Sequence, residues 1–225
     1  MPITVLIPAT TLPVGLPTAL RYMKVLMQDG DMANLCLQTA VQAVEDYTGR
    51  SLCTKTYLLS TAAWPTNRAY WGVQSWLSSD RHIINNKQAN LRVQELRRSP
   101  LLTVTGIQYW GNGATSLATL DPSDYLVDAS SVPGRVAYVD TGVDGGTLPY
   151  LAARADAIQI TFTAGYGTGE DAVPAMLKMA CLMFARQLYD NRLPGMASGT
   201  SMELPYGLRH MLRSQRIESV SDETA

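Results

Sequence analysis

Three glycines between a predicted strand and a predicted helix have the spacing that most resembles a site for chemistry. They are Gly165, Gly167 and Gly169. A glycine-rich turn at the start of a helix can cradle phosphate with its backbone N–H groups. However, the Gly-Lys-Ser/Thr sequence of a phosphate-binding loop is missing, and the spacing departs from Gly-x-Gly-x-x-Gly. Glu170 and Asp171 would also repel phosphate, so the pattern favours a tight turn.

The titratable side chains form no catalytic or metal-binding pattern. The two histidines, His82 and His210, have no cysteine or carboxylate at metal-ligand spacing. No Gly-x-Ser-x-Gly elbow is present, although a Ser-His-Asp arrangement can assemble from distant residues. Glu45 and Asp46 are expected on the solvated side near a helix end. The sequence therefore predicts no catalytic residue, no metal site and no cofactor.

A basic row lies on a short helix predicted over 206–216, which Pro205 opens. It can be a solvated face whose arginines pair with carboxylates, or a surface that docks onto an acidic partner through basic and apolar side chains. Direct DNA binding is a third, weaker alternative, because three arginines neutralise few phosphates. The docking hypothesis names Leu208, Arg209, Met211, Leu212, Arg213 and Arg216.

A strand, a turn and a long helix position these residues. Ile158–Thr163 alternates apolar and polar side chains, as in a half-buried strand. A helix is predicted over 173–192, with one apolar face and a second stripe of methionines beside it. That stripe consists of Met176, Met179 and Met183. A helix this broadly apolar is either central to a core or partly committed to another subunit.

The rest of the chain predicts an α+β fold. Residues 1–17 contain four prolines and are expected to form an extended arm. A helix pair is predicted over 18–49, with Thr18 and Asp31 as caps and Gly49 as the stop. Strand segments over 54–164 are expected to form one antiparallel sheet inserted between the helices. The fold class is thus a helical bundle, made of the N-terminal pair and the long C-terminal helix, with an inserted antiparallel β-sheet.

The segment 64–94 has no sustained period and holds Trp64, Trp71 and Trp76. It can be a long inserted loop or hairpin whose aromatic side chains anchor it to the body. It can also be an aromatic contact surface for a partner, since Trp and Tyr are enriched at binding hot spots.

The composition limits the partners. Charged residues make up only 16% of the 225 residues, which leaves neutral surface for protein contacts. The net charge of −1 argues against a general DNA-binding footprint. Three well-separated cysteines are typical of reduced, structural thiols. No signal peptide or membrane-spanning stretch is recognisable, so a soluble protein made inside the cell, without a membrane partner, is expected.

Several motifs together carry a family resemblance. In chain order they are Tyr47–Arg50 (YTGR), Leu120–Asp128 (LDPSDYLVD), Phe162–Gly167 (FTAGYG), Val173-Pro174 and Tyr189–Arg192 (YDNR). With them the chain resembles head–tail connector (adaptor) proteins of tailed phages. More specifically, it is similar to the family typified by gene product 8 of a Burkholderia phage and to the HK97-type connectors.

The resemblance implies a structural virion protein with no chemical step. Such proteins form a ring, usually of twelve copies, below the portal, and bridge it to the stopper or tail-completion protein. Genomic DNA passes through the channel without sequence-specific binding. The implied location is the virion neck, after assembly in the host cytoplasm. The implied domains are an arm (1–17), a connector domain (18–192) and a C-terminal segment (193–225) inserted against the portal.

Under this interpretation the six residues of the final helix named above dock onto the portal. The expected contacts between neighbouring copies are Met176, Met179, Met183, Trp71 and Trp76. Two alternatives stay open: another neck component, such as a stopper or tail-completion protein, and a ligand-binding or enzymatic domain that uses the inserted sheet.

Overall fold

The computed structural model describes residues 3–25, 29–65, 92–138, 148–191 and 205–217. Over these residues the chain is α+β, as predicted, with helices and antiparallel sheets. It divides into two compact units. The described residues of Ile7–Lys55, Arg97–Pro100 and Ala164–Ala225 form a helical unit, and those of Met1–Leu6, Thr56–Leu96 and Leu101–Thr163 form a β unit.

The described part of the helical unit contains four α-helices around one apolar core. They are α1 (Leu16–Met23), α2 (Gly30–Thr48), α3 (Ala175–Asp190) and α4 (Tyr206–Arg213). The apolar faces of α2 and α3 pack together, with Leu37, Val44 and Leu177 fully buried. The core also takes in α1 and α4, so it is assembled from both ends of the sequence.

The helix ends correct part of the prediction. Gly49 ends α2 as predicted, with a left-handed φ of 71° that a residue with a Cβ rarely adopts. However, α1 starts at Leu16, with Gly15 as its N-cap, because Pro17 fits within a first helical turn. Asp29 rather than Asp31 precedes α2. Thr18 and Asp31 therefore lie inside helices and cap neither.

The described part of the β unit contains two sheets, so the expectation of one sheet was wrong. A five-stranded sheet has the order β1-β2-β8-β4-β5, and a three-stranded antiparallel sheet has the order β3-β7-β6. The strands are β1 (Ile3–Ile7), β2 (Lys55–Thr61), β3 (Arg92–Leu96), β4 (Leu101–Trp110), β5 (Leu117–Thr119), β6 (Tyr125–Asp128), β7 (Gly134–Tyr138) and β8 (Ile158–Ala164).

The physical reason for two sheets lies between β3 and β4. Residues Arg97–Pro100 leave the β unit and belong to the helical unit. There the carbonyl of Ser99 accepts a hydrogen bond from the backbone N–H of Ser51 at 2.9 Å. The chain is thus diverted between Leu96 and Leu101, and β3 and β4 join different sheets. In the segment predicted to be an extended arm, Ile3–Ile7 forms the edge strand β1.

One tryptophan of the segment 64–94 is described, and it packs into its own unit. The Trp64 ring meets the Tyr138 ring edge-on, with centroids 5.0 Å apart. Its Nε1–H donates to the carbonyl of Pro149 at 3.0 Å. For Trp64 these contacts match the interpretation in which aromatic side chains anchor the segment. Trp71 and Trp76 lie outside the described residues.

Candidate functional site

The glycine turn after β8 is tightly packed against neighbouring backbone. Gly165 and Gly167 have φ angles of 139° and 150°, which strain any residue with a Cβ. A Cβ on Gly165 would lie 2.5 Å from the carbonyl oxygen of Cys53. The N–H of Gly165 donates to the carbonyl of Pro100 at 2.9 Å. Because this donor is used and the space is filled, the predicted tight turn is confirmed at these two glycines.

Glu45 corrects the expectation that it faces solvent. Its side chain is only 2% exposed and forms an ion pair with Lys55. Its Oε1 accepts the backbone N–H of Leu52 at 2.8 Å. The Arg98 guanidinium donates to the Glu45 carbonyl and to the Asp46 carboxylate, each at 3.3 Å. Every one of these contacts joins segments of the helical unit, so Glu45 has a structural role.

Arg50 is a second polar anchor, which no local sequence pattern indicated. Its Nε donates to the carbonyl of Gln215 at 2.7 Å, and its Nη1 donates to the Tyr166 hydroxyl at 2.9 Å. Close by, the N–H of Ile217 donates to the carbonyl of Thr48 at 2.9 Å. Residues 215–217 are therefore fixed to the end of α2.

The described residues contain no group of three or more His, Cys, Asp or Glu that could hold a metal ion. His82 lies outside them, and His210 is exposed on α4. The three cysteines are buried thiols rather than disulfides, as predicted. Burial raises the pKa of the Cys53 and Cys181 thiols above their ordinary value. Of the helices described, none has the length and apolarity that crossing a membrane requires.

The residues predicted to dock onto a partner through the final helix fall into two groups, one buried and one at least partly exposed. Leu208 and Leu212 are buried in the core of the helical unit, where α4 packs against α2 and α3. They cannot contact a partner while α4 stays in place, so this part of the docking assignment is corrected. Met211 is half-buried, whereas Arg209, Arg213 and Arg216 are exposed.

The exposed face of α4 forms a basic groove, which the sequence did not indicate because Tyr47 comes from α2. The groove has a volume of about 340 Å³ and is lined by Tyr47, Tyr206, Arg209, His210, Arg213 and Arg216. The Tyr47 hydroxyl donates to the carbonyl of Arg209 at 3.3 Å, which ties α4 to α2 at the groove. Within the groove all ionisable groups other than the tyrosines are basic, so it suits an anionic ligand.

The methionine stripe on α3 is exposed. Met176, Met179 and Met183 are 41%, 45% and 44% exposed, whereas the neighbouring Leu177 and Ala180 are fully buried. The three positions follow helical spacing, so the methionines line one side of α3. Flexible, polarisable methionines are suited to adaptable protein contacts.

A second exposed apolar surface lies on β1 and was missed in the sequence. Val5, Leu6 and Ile7 are exposed although successive residues of a strand point to opposite faces. Among the described strands, β1 lies at the edge of its sheet, so one row of its backbone groups faces away from β2. Four prolines in the first 17 residues suggested an arm and hid the short apolar run Ile3–Ile7.

No protein-family model and no curated protein matches the chain. Its fold is similar to chains in solved structures of gene transfer agent (GTA) particles. One, from the neck of an empty GTA particle computed with C6 symmetry, has 17% identity and a TM-score of 0.67. A second chain, from the virion of the native GTA particle, has 20% identity and a TM-score of 0.65. A third, from the neck of the native particle computed with C12 symmetry, has 18% identity and a TM-score of 0.65. Each likeness covers 98% of this chain and 97% of the other. The chain therefore has the fold of these particle chains over nearly its whole length.

Proposed function

We propose that the chain is a structural protein in the neck of a phage-like particle, and specifically the head–tail connector (adaptor). Twelve copies form a ring below the portal, bridge it to the stopper or tail-completion protein, and leave a channel for DNA. The observation that carries the proposal is the fold likeness to GTA neck chains at 98% coverage of this chain. The protein acts by binding, with no chemical step and no cofactor.

The exposed apolar surfaces support a ring. Closed rings need head-to-tail contacts, in which each copy offers two different surfaces to its neighbours. The methionine stripe of α3 and the edge strand β1 are two such surfaces, and both lack charged side chains. The proposed contacts between copies are Met176, Met179 and Met183, together with Val5 and Leu6. Trp71 and Trp76 remain proposed contacts from the sequence alone.

The basic face of α4 supports docking onto the portal. Arg209 and Arg213 present charge on the exposed side of α4, whose other side is buried in the core, and Arg216 lies just after the end of this helix. Charge complementarity of this kind directs orientation and association rate more than raw affinity. The proposed portal-docking surface is therefore these arginines with Met211, without Leu208 and Leu212. DNA passes without sequence-specific contacts, consistent with the net charge of −1.

Two substitutions test the proposal in co-sedimentation with portal rings. Met179→Glu places a charge in the contact between copies, and we expect bound copies per portal to fall by about tenfold. Arg213→Glu reverses charge in the docking surface, and we expect weaker binding that differs most at low salt. Ala114→Glu in the β4–β5 turn and Arg21→Glu on α1 are matched exposed controls. The proposal fails if the controls reduce binding as much as the test variants, or if the wild-type chain does not sediment with portal.

The alternative is that the protein is another neck component, because the solved chains of similar fold come from whole neck and virion assemblies. A stopper or tail-completion protein would bind only after an adaptor ring is present. Binding to isolated portal thus separates the two assignments.

A further inference from the structure

The described strands have four edges, at β1 and β5 of the five-stranded sheet and at β3 and β6 of the three-stranded sheet. An edge strand presents backbone N–H and C=O groups with which another strand can pair, and proteins protect such edges by charge, by proline or by shortness. β5 is only three residues long, and β3 carries Arg92 and Glu95. Two of the four edges are therefore protected, and β1 and β6 remain.

β1 and β6 are exposed on both faces and carry apolar side chains. Val5 and Leu6 of β1 are 46% and 49% exposed, and Leu126 and Val127 of β6 are 54% and 41% exposed. Because successive side chains of a strand point to opposite faces, neither face of either strand is fully covered at these positions. β1, with the sequence ITVLI, has no charged residue and no proline.

The outer side of β6 is not protected by its only charged residue. That residue, Asp128, ends the strand, and its Oδ1 accepts the hydroxyl of Ser130 at 2.6 Å and the backbone N–H of Ser131 at 3.2 Å. The carboxylate is thus directed into the turn that follows β6. All four residues of β6 pair with β7 on the inner side, so the backbone groups of the other side face away from the described sheet.

Two unprotected edges on one chain allow copies of the chain to pair head to tail. Each copy offers β1 to one neighbour and β6 to the other, and a closed ring then leaves neither edge exposed. The strands match in length, with five residues in β1 and four in β6. Val5 and Val127 lie near the strand centres, and cross-strand pairs of β-branched side chains stabilise a sheet.

We infer that β1 of one copy pairs with β6 of the next copy. The pairing joins the five-stranded sheet of one copy to the three-stranded sheet of its neighbour. Backbone hydrogen bonds supply affinity in this kind of strand addition, and the alternating side chains fix the register. Only the closure of the paired copies into a ring rests on the proposed function, because the pairing itself requires no more than two copies of the chain.

Disulfide cross-linking tests the pairing in the full-length chain. Chains with Val5→Cys or Leu6→Cys are mixed with chains with Leu126→Cys or Val127→Cys, both with and without portal rings. One chain of each mixture carries a tag that changes its mass, so that a non-reducing gel identifies mixed dimers after mild oxidation. Since each chain has a single added cysteine, every mixed dimer reports a contact between copies. The native thiols are buried and give only background.

Strand pairing predicts a crossed pattern among the four mixtures. Because side chains alternate between faces, the cysteine replacing Val5 can reach only one of the two β6 cysteines, and the cysteine replacing Leu6 only the other. Facing residues of paired strands lie within disulfide distance, so we expect two mixtures to cross-link about tenfold more than the other two. Ala114→Cys, exposed in the β4–β5 turn, is the matched control for background. Background levels in all four mixtures, equal levels in all four, or dimers of β1 with β1 would overturn the inference.

A charge on the receiving edge gives a second measurement. Lysine on an edge strand opposes pairing, so adding Val127→Lys to the Leu126→Cys chain should lower its cross-linking to β1 by about tenfold. Thr119→Lys, exposed on the edge strand β5, is the matched control and should leave cross-linking unchanged. Thermal unfolding verifies that both variants keep the fold. Equal losses with the two lysines would contradict pairing at β6.

The mixtures with portal rings separate this inference from the proposed function. Copies that join the portal without the crossed pattern would overturn strand pairing and leave the proposed function standing. The crossed pattern in free chains that do not join the portal would retain strand pairing and overturn the proposed function. Chains that neither cross-link nor join the portal would overturn both.

Discussion

At the scale of single residues, Glu45 shows how burial changes the role of a charged side chain. It lies beside the exposed Asp46, yet its carboxylate is enclosed with Lys55 and the Leu52 N–H. Removing one partner of a buried ion pair leaves a charge without compensation, whereas replacing both with apolar groups is often tolerated. The loss of one partner is therefore expected to destabilise the fold by more than the net contribution of the intact pair.

We expect Glu45→Ala to lower the free energy of unfolding by about 3 kcal/mol, because Lys55 is left mostly buried without its carboxylate. Urea unfolding measures this. The double variant Glu45→Met/Lys55→Met should recover part of the loss, because no charge is then left unpaired, although the Leu52 N–H still lacks its acceptor. Asp46→Asn is the matched control, and its exposed carboxylate should contribute less than about 1 kcal/mol. Equal effects at positions 45 and 46 would contradict the buried pair.

A second prediction at this scale concerns the reactivity of the buried thiols. Burial raises the pKa of Cys53 and Cys181 in the folded chain above the ordinary value of 9.0. The thiolate is the reactive form, so both thiols should resist alkylation at pH 8 in the folded chain and react after unfolding. Mass spectrometry of the alkylated peptides measures this.

The sign of the pH dependence follows from the same shift. Because the folded state holds these protons more tightly, stability is fully present below pH 9.0 and declines as the pH rises above it. Rapid alkylation of Cys181 without unfolding, or stability that rises above pH 9, would contradict the buried thiols.

At the scale of elements, α4 is part of the core although the sequence suggested a separate C-terminal segment. We expect Leu212→Ala to destabilise the helical unit by about 2–5 kcal/mol, because it leaves a cavity at a fully buried position. Met211→Ala, at a half-buried position on the same helix, should cost clearly less. Thermal unfolding of both variants measures the difference. Equal, small effects would mean that α4 does not contribute to the core.

The helices could be predicted because their signals are local. The 3.6-residue period and the glycine stop at Gly49 identify α2, and the alternation in β8 identifies a strand. The division into two sheets could not be predicted. It depends on Arg97–Pro100 joining a distant unit through Ser51, a contact without any local pattern. The arginine row of the groove was visible, whereas Tyr47 joins it only through the fold.

Burial was the least predictable property of the candidate surfaces. The apolar face of α4 fits both a core and a docking surface, and only packing against α2 and α3 decides between them. Conversely, the methionine stripe of α3 stays exposed beside a buried face that is also apolar. Periodicity gives the face of a helix, but it does not give the neighbour that covers the face.

At the scale of the whole molecule, the assignment depends on assembly. A chain with exposed apolar stripes, few charges and the fold of GTA neck chains is expected to find its partners in a particle. The proposed function is therefore measured by binding rather than by turnover. The stoichiometry of the chain with portal rings is the quantity that reports it.

The most direct measurement is the absolute mass of the purified chain by light scattering, alone and after mixing with portal rings. The account predicts a complex with one copy of the chain per portal subunit, whose mass exceeds that of the portal by twelve chains. A stable monomer or dimer that leaves the mass of the portal unchanged would contradict the account.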